Sequence, residues 1–108
     1  MSEPINRLYN TVVVARGETP PESRTAKLFR DGRIKIAKKV AEEAVEVSLE
    51  CVTGQRDKVI HESVDLIYNL TVLWAEMGIS PSEIWHEMEE REAAFGIAGK
   101  LPKDSSNG

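Results

Sequence analysis

The chain has 108 residues, 41% hydrophobic and 30% charged, a length that suits one domain and a composition ordinary for a globular protein. A net charge of −4 with a pI near 5.2 leaves no basic field for nucleic acid, and no stretch nears the ~18 consecutive apolar residues of a membrane span. Cys51 is the single cysteine, which excludes an internal disulfide and any multi-cysteine zinc site.

The opening MSEPINRLYN has no basic start, long apolar run or small-residue cleavage site, so the cytoplasm is the expected location. Residues 4–16 are expected to form a helix, although Val12, Val13 and Val14 are β-branched and lose side-chain freedom there. Residues 20–33 are polar and basic, with room for one short helical turn around residues 25–29. From 34 to 52, Ala37, Val40, Ala41, Ala44, Val45, Leu49 and Val52 recur mostly at three- and four-residue steps, the mark of an amphipathic helix. Residues 57–77 repeat the pattern more densely through Ile60, Val64, Ile67, Leu70, Trp74 and Met77, as a central helix would. Ser80-Pro81-Ser82-Glu83 reads as an N-cap, a first-turn proline and a capping glutamate, opening a helix that runs to about Phe95 and stops at Gly96. The expected domain is 1–103, with a disordered tail at 104–108.

Without strands or repeats, and with short connections near Gly54 and Gly78, the chain is expected to fold as an all-α bundle of about four helices. So short a bundle leaves apolar surface on its central pair, so a homodimer is expected to complete it.

The chemistry concentrates in Glu42-Glu43-x-x-Glu46 and, after fifteen intervening residues, Glu62-x-x-Asp65. At about 100° per residue, Glu42 and Glu43 flank Glu46 at roughly 40° and 60°, so the three share a patch; Glu62 and Asp65 share a face of the next helix. If the two helices run antiparallel, the groups face each other. Crowded carboxylates repel unless a cation neutralises them, and oxygen-only ligands suit Mg2+, which keeps positions for phosphate oxygens. The plainer alternative is a solvated acidic face on two amphipathic helices. Lys38 and Lys39 stand one turn before the glutamates; they can contact a phosphate, or pair as Lys38 with Glu42 and Lys39 with Glu43.

Thr25-Ala26-Lys27-Leu28-Phe29, the run from Lys35 to Val47 and Asp65-Leu66-Ile67-Tyr68-Asn69-Leu70 resemble the phosphoribosyl-ATP pyrophosphohydrolase family. The resemblance covers about residues 23–91 and extends to the wider MazG-like group of all-α nucleotide pyrophosphohydrolases, whose EExxE and ExxD motifs bind magnesium. It implies Glu43, Glu46, Glu62 and Asp65 as metal ligands, with Glu42 or Glu46 orienting the attacking water. It also implies hydrolysis of phosphoribosyl-ATP to phosphoribosyl-AMP and pyrophosphate, the second step of histidine synthesis. Expected substrate contacts are Thr25, Lys27, Arg30, Lys38, Lys39 and Asn69, with Lys27, Lys38 and Lys39 on the polyphosphate.

Three positions depart from the family pattern: Ala41 where glycine is common, Asn69 where histidine is expected, and Gly99-Lys100 in place of Glu-Lys. They concern substrate rather than fold, so a house-cleaning pyrophosphohydrolase for other nucleotides is the nearest alternative. A helical dimerisation module without catalysis is the alternative of another class. His61 and His86 have no spacing that pairs them on a metal, and Trp74 and Trp85 are expected to pack in the core or dimer interface. No Gly-x-x-x-x-Gly-Lys phosphate loop and no Gly-x-Ser-x-Gly elbow is present.

Overall fold

A computed structural model of the chain describes residues 3–95. Five helices follow one another: α1 (Glu3–Arg16), α2 (Arg24–Asp31), α3 (Arg33–Val52), α4 (Arg56–Glu76) and α5 (Pro81–Phe95). No strand occurs among the described residues. The stop at Gly96, the departure at Gly99, the domain end at 103 and the tail at 104–108 lie outside them.

Helix boundaries follow the expected punctuation, with one extension. The single turn expected at 25–29 is an eight-residue helix, because Ser23 caps it: the Ala26 N–H donates to Ser23 Oγ at 3.0 Å. Glu18 fixes the approach to that cap by accepting the N–H groups of Glu22 and Ser23 at 2.8 Å each. These two backbone donors, Ser23 first, hold the Glu18 carboxyl below its ordinary range. At the far end of α2, Gly32 alone separates it from α3. Its φ of 102° is open to glycine and strained for other residues, and it turns the chain sharply enough for Leu28 and Ile36 to enter the same core.

The α3–α4 hairpin is the frame of the molecule, and these two helices make the most extensive contact in it. The turn between them is a Schellman-type stop. Gly54 sits at φ 73°, its N–H donates to the Cys51 carbonyl at 3.1 Å, and the Gln55 N–H donates to Glu50 at 2.9 Å. α5 opens with the expected capping box, in which the Ser80 N–H donates to Glu83 Oε2 at 2.9 Å. Trp85 of α5 meets Trp74 of α4 edge to face, their ring centroids 6.4 Å apart.

The core occupies one end of the hairpin. Val12 of α1, Leu28 of α2, Ile36 of α3 and Val72 and Ala75 of α4 form it, flanked by Leu8, Tyr9, Phe29, Tyr68 and Leu73. Arg16 locks this end: it donates to the Ala75 carbonyl at 2.6 Å, lies over the Phe29 ring at 5.6 Å and shares Glu76 with Arg33. A cation there also complements the C-terminal end of the α4 dipole. Towards the Gly54 end α1 and α2 no longer cover the hairpin. Val45, Leu49 and Val52 on α3 and Ile60, Val64 and Ile67 on α4 stand 41–83% exposed, each set at the i, i+4, i+7 spacing of a single helix face.

Candidate active site

Between the packed and bare ends of the hairpin, the antiparallel arrangement brings the two acidic motifs together. Carboxylate oxygens of Glu43 and Glu46 on α3 and Glu62 on α4 lie within 4.8 Å of one another. A second group shares Glu62 and adds Asp65 and His61, again within 4.8 Å. The four expected ligands therefore fall in two adjoining groups that Glu62 joins. Glu42 is exposed and belongs to neither group.

Their protonation behaviour reports the crowding. Burial first, then the neighbouring Glu46 and the charges of Asp65 and Glu62, push the Glu43 carboxyl above its ordinary range. The Glu62 carboxyl is also raised, first by a hydrogen bond shared with Glu46, then by burial and by the charges of Glu46 and Asp65, with His61 opposing. Glu43 Oε2 is closed off from solvent and has no hydrogen-bond partner among the described residues. A shielded carboxylate oxygen without a donor, set among three other acids, is what a hard cation would satisfy. The all-oxygen set of Glu43, Glu46, Glu62 and Asp65 fits Mg2+. His61, which spacing alone did not tie to a metal, stands beside them with Nε2 3.7 Å from Asp65 Oδ2, exposed and orienting that carboxylate from outside.

One turn along the hairpin towards the core lies a hollow of about 350 Å³ between α2, α3 and α4. Arg24, Lys27, Lys35 and Lys39 line it, with Tyr68 and Asn69 on the α4 side. None of the four cations forms an ion pair among the described residues; in particular the Lys39–Glu43 pair is not made, nor is Lys38–Glu42. Asp31 on its wall is engaged by Arg30 at 3.3 Å. Thr25 Oγ1 and the Tyr68 hydroxyl share a hydrogen bond of 2.5 Å that ties α2 to α4 beside the hollow. Of the expected substrate contacts, Lys27, Lys39 and Asn69 line it and Thr25 braces it through Tyr68. Lys38 and Arg30 are exposed and do not line it. Arg24, Lys35 and Tyr68 were not among the expected contacts. The signal for the two cations was their helical spacing, Arg24 three before Lys27 and Lys35 four before Lys39, which puts each pair on one face.

Asn69 is 2% exposed, and its side chain has a fixed orientation. Nδ2 donates to the Asp65 carbonyl at 2.9 Å, which a carbonyl permits only to the N–H end of the amide. Oδ1 is closed off from solvent and has no partner among the described residues.

The family model for phosphoribosyl-ATP pyrophosphohydrolase matches residues 5–92. The chain is similar to phosphoribosyl-ATP pyrophosphatase 2 of Rhodopseudomonas palustris, 54% identical over 103 residues that cover 95% of this chain and 79% of that protein. The protein of the same name from Bradyrhizobium diazoefficiens is 53% identical over 105 residues, 97% of this chain and 78% of the other. The phosphoribosyl-ATP pyrophosphatase of Azospirillum brasilense is 46% identical over 101 residues, 94% and 91% respectively.

Proposed function

Because this chain belongs to the phosphoribosyl-ATP pyrophosphohydrolase family, we infer that it hydrolyses phosphoribosyl-ATP to phosphoribosyl-AMP and pyrophosphate, a step of histidine biosynthesis. The observation that carries the mechanism is the grouping of Glu43 and Glu46 with Glu62, which Glu62 links to Asp65, together with the shielded Oε2 of Glu43 that has no partner among the described residues. These four would hold Mg2+. When bound, the ion neutralises polyphosphate oxygens and polarises the phosphorus they surround.

The protein's own groups do the rest. Glu46, exposed and within the carboxylate cluster, orients the attacking water and accepts its proton. The water oxygen bonds to phosphorus as the anhydride bond between the α- and β-phosphates breaks, and pyrophosphate leaves with the bridging oxygen. Lys39, one turn before Glu43 and in no ion pair among the described residues, supplies positive charge where the polyphosphate runs out from the carboxylates.

The direct test is pyrophosphate release from the purified protein with phosphoribosyl-ATP and a panel of nucleoside triphosphates, with and without magnesium. Magnesium-dependent turnover selective for phosphoribosyl-ATP is the expected result. Turnover confined to other nucleotides would transfer the protein to the house-cleaning class, and none at all would leave a helical dimerisation module.

The apolar stripe of Val45, Leu49, Val52, Ile60, Val64 and Ile67 is covered by the same stripe of a second copy, an isologous contact that completes the bundle. Val64→Asp places an unpaired charge in that contact and raises the dimer dissociation constant at least about 100-fold, read by sedimentation. A wild-type chain that is monomeric and fully folded at nanomolar concentration would refute the dimer.

A further inference from the structure

We propose that the hollow between α2, α3 and α4 is a second phosphate site that takes the sugar phosphate of the phosphoribosyl group, so that the substrate is gripped at both of its phosphate-bearing ends. The proposal rests on the pyrophosphohydrolase function inferred above and deepens it, since ATP lacks the second end.

Distance favours this over another polyphosphate contact. Lys39 lies about 6 Å along the α3 axis from Glu43, but Lys35 lies about 12 Å from it, at 1.5 Å per residue. That is farther than a triphosphate spans between its first and last phosphorus, so a triphosphate anchored on the carboxylates does not carry its charge to the far wall. Arg24, Lys27 and Lys35 nevertheless converge on the same 350 Å³ hollow, and none of them is in an ion pair among the described residues. Three such cations form a receptor for a dianionic phosphate monoester, in which arginine can engage two oxygens at once. Lys27, expected from the sequence to contact the polyphosphate, is assigned here to this second phosphate.

Asn69 supplies the independent observation. It lines the hollow and is buried, its amide nitrogen is held by the Asp65 carbonyl, and Oδ1 is closed off from solvent with no donor among the described residues. An unpartnered buried acceptor costs the folded protein a desolvation penalty that a ligand hydroxyl would remove. Asn69 lies one turn beyond Asp65, between the carboxylate cleft and the far cations. A sugar hydroxyl donating to Oδ1 would therefore place its 5-phosphate towards Arg24, Lys27 and Lys35. The volume suits a phosphorylated pentose with some water, at the small end of ligand cavities.

The probe is ribose 5-phosphate, titrated into the metal-free full-length protein and followed by backbone amide shifts. Saturable shifts in α2, around Lys35 and around Tyr68 and Asn69 are expected, with binding weakened at least about tenfold in Arg24→Gln/Lys35→Gln. Asn69→Leu, which removes the acceptor but no charge, should weaken ribose 5-phosphate more than inorganic phosphate. The proposal is overturned if ribose 5-phosphate does not saturate, if its shifts fall on the carboxylate helices alone, or if the double variant binds it like wild type. It is equally overturned if tripolyphosphate with magnesium shifts the same far-wall amides, since the hollow would then belong to the polyphosphate. Failure of the enzymatic function would show differently: ribose 5-phosphate would bind and no pyrophosphate would be released.

Discussion

Glu46→Gln is expected to reduce pyrophosphate release at least about 100-fold while the far-ultraviolet helical signal stays at the wild-type level. Glu46 is exposed and mid-helix, so the amide costs the fold little, and glutamine is as good a helix former as glutamate. The same change removes one of the oxygens that converge with Glu43 and Glu62 and replaces a proton acceptor by a group that cannot accept a proton. Outer partners of metal ligands alone are worth about 10–100-fold, so a group that both binds the ion and orients water should exceed that range. Activity retained within tenfold would remove Glu46 from the mechanism. Glu42→Gln provides the contrast, because Glu42 lies outside both acidic groups; its loss should be the smaller of the two.

The second large effect has the opposite sign to most mutations in a functional site: Glu43→Gln should melt at a higher temperature than the wild type when magnesium is absent. Burial and three neighbouring acids raise the Glu43 carboxyl in the folded state, so the folded protein holds that proton more tightly than the unfolded chain does. Stability of the metal-free protein therefore falls as pH rises from the unfolded carboxylate pKa of about 4.3 through the raised value, and the loss is complete above it. At neutral pH the wild type carries this repulsion and glutamine relieves part of it. Magnesium reverses the order. At about 100 times its dissociation constant a ligand adds about 2.7 kcal/mol, which for a domain of this size shifts the melting temperature by on the order of 10 °C. The wild type should show that shift in a thermal melt at pH 7 and Glu43→Gln should lose most of it. A variant that melts below the wild type without magnesium, or responds to the ion as the wild type does, would contradict the cleft as a cation site.

These effects depend on residues whose grouping was partly legible before any fold was known. The spacings Glu42-Glu43-x-x-Glu46 and Glu62-x-x-Asp65 already put each set on one helix face, and an antiparallel hairpin about Gly54 was enough to oppose them. What the spacing did not separate was Glu42 from Glu43. Both flank Glu46 at similar angles, and only the placement of α4 turns Glu43 inward and leaves Glu42 in solvent. Likewise Lys38 and Lys39 are neighbours of equal chemistry, but only Lys39 lines the hollow, and neither makes the intrahelical pair that local spacing offered. His61 was invisible as a member of the cluster because its partner relation, to Glu62 and Asp65, is with acids and not with His86.

The amino-acid sequence by itself determined four of the helices, the cap of α5 and the all-α class, because hydrophobic period, Ser80 to Glu83 and the glycines at 54 and 78 act over one or two turns; the full length of α2 and its Ser23 cap came only with the structure. It also determined the acidic motifs, since residues three and four apart share a face whatever surrounds the helix. Tertiary structure decided the rest. Which end of the hairpin holds a core and which is bare depends on where α1 and α2 dock. The basic hollow exists because Gly32 folds α2 back over α3, so that Arg24 and Lys27 meet Lys35 and Lys39 across a turn. And the unpartnered acceptor on Asn69 is a matter of burial, which arises between elements and leaves no mark on the spacing of any one of them.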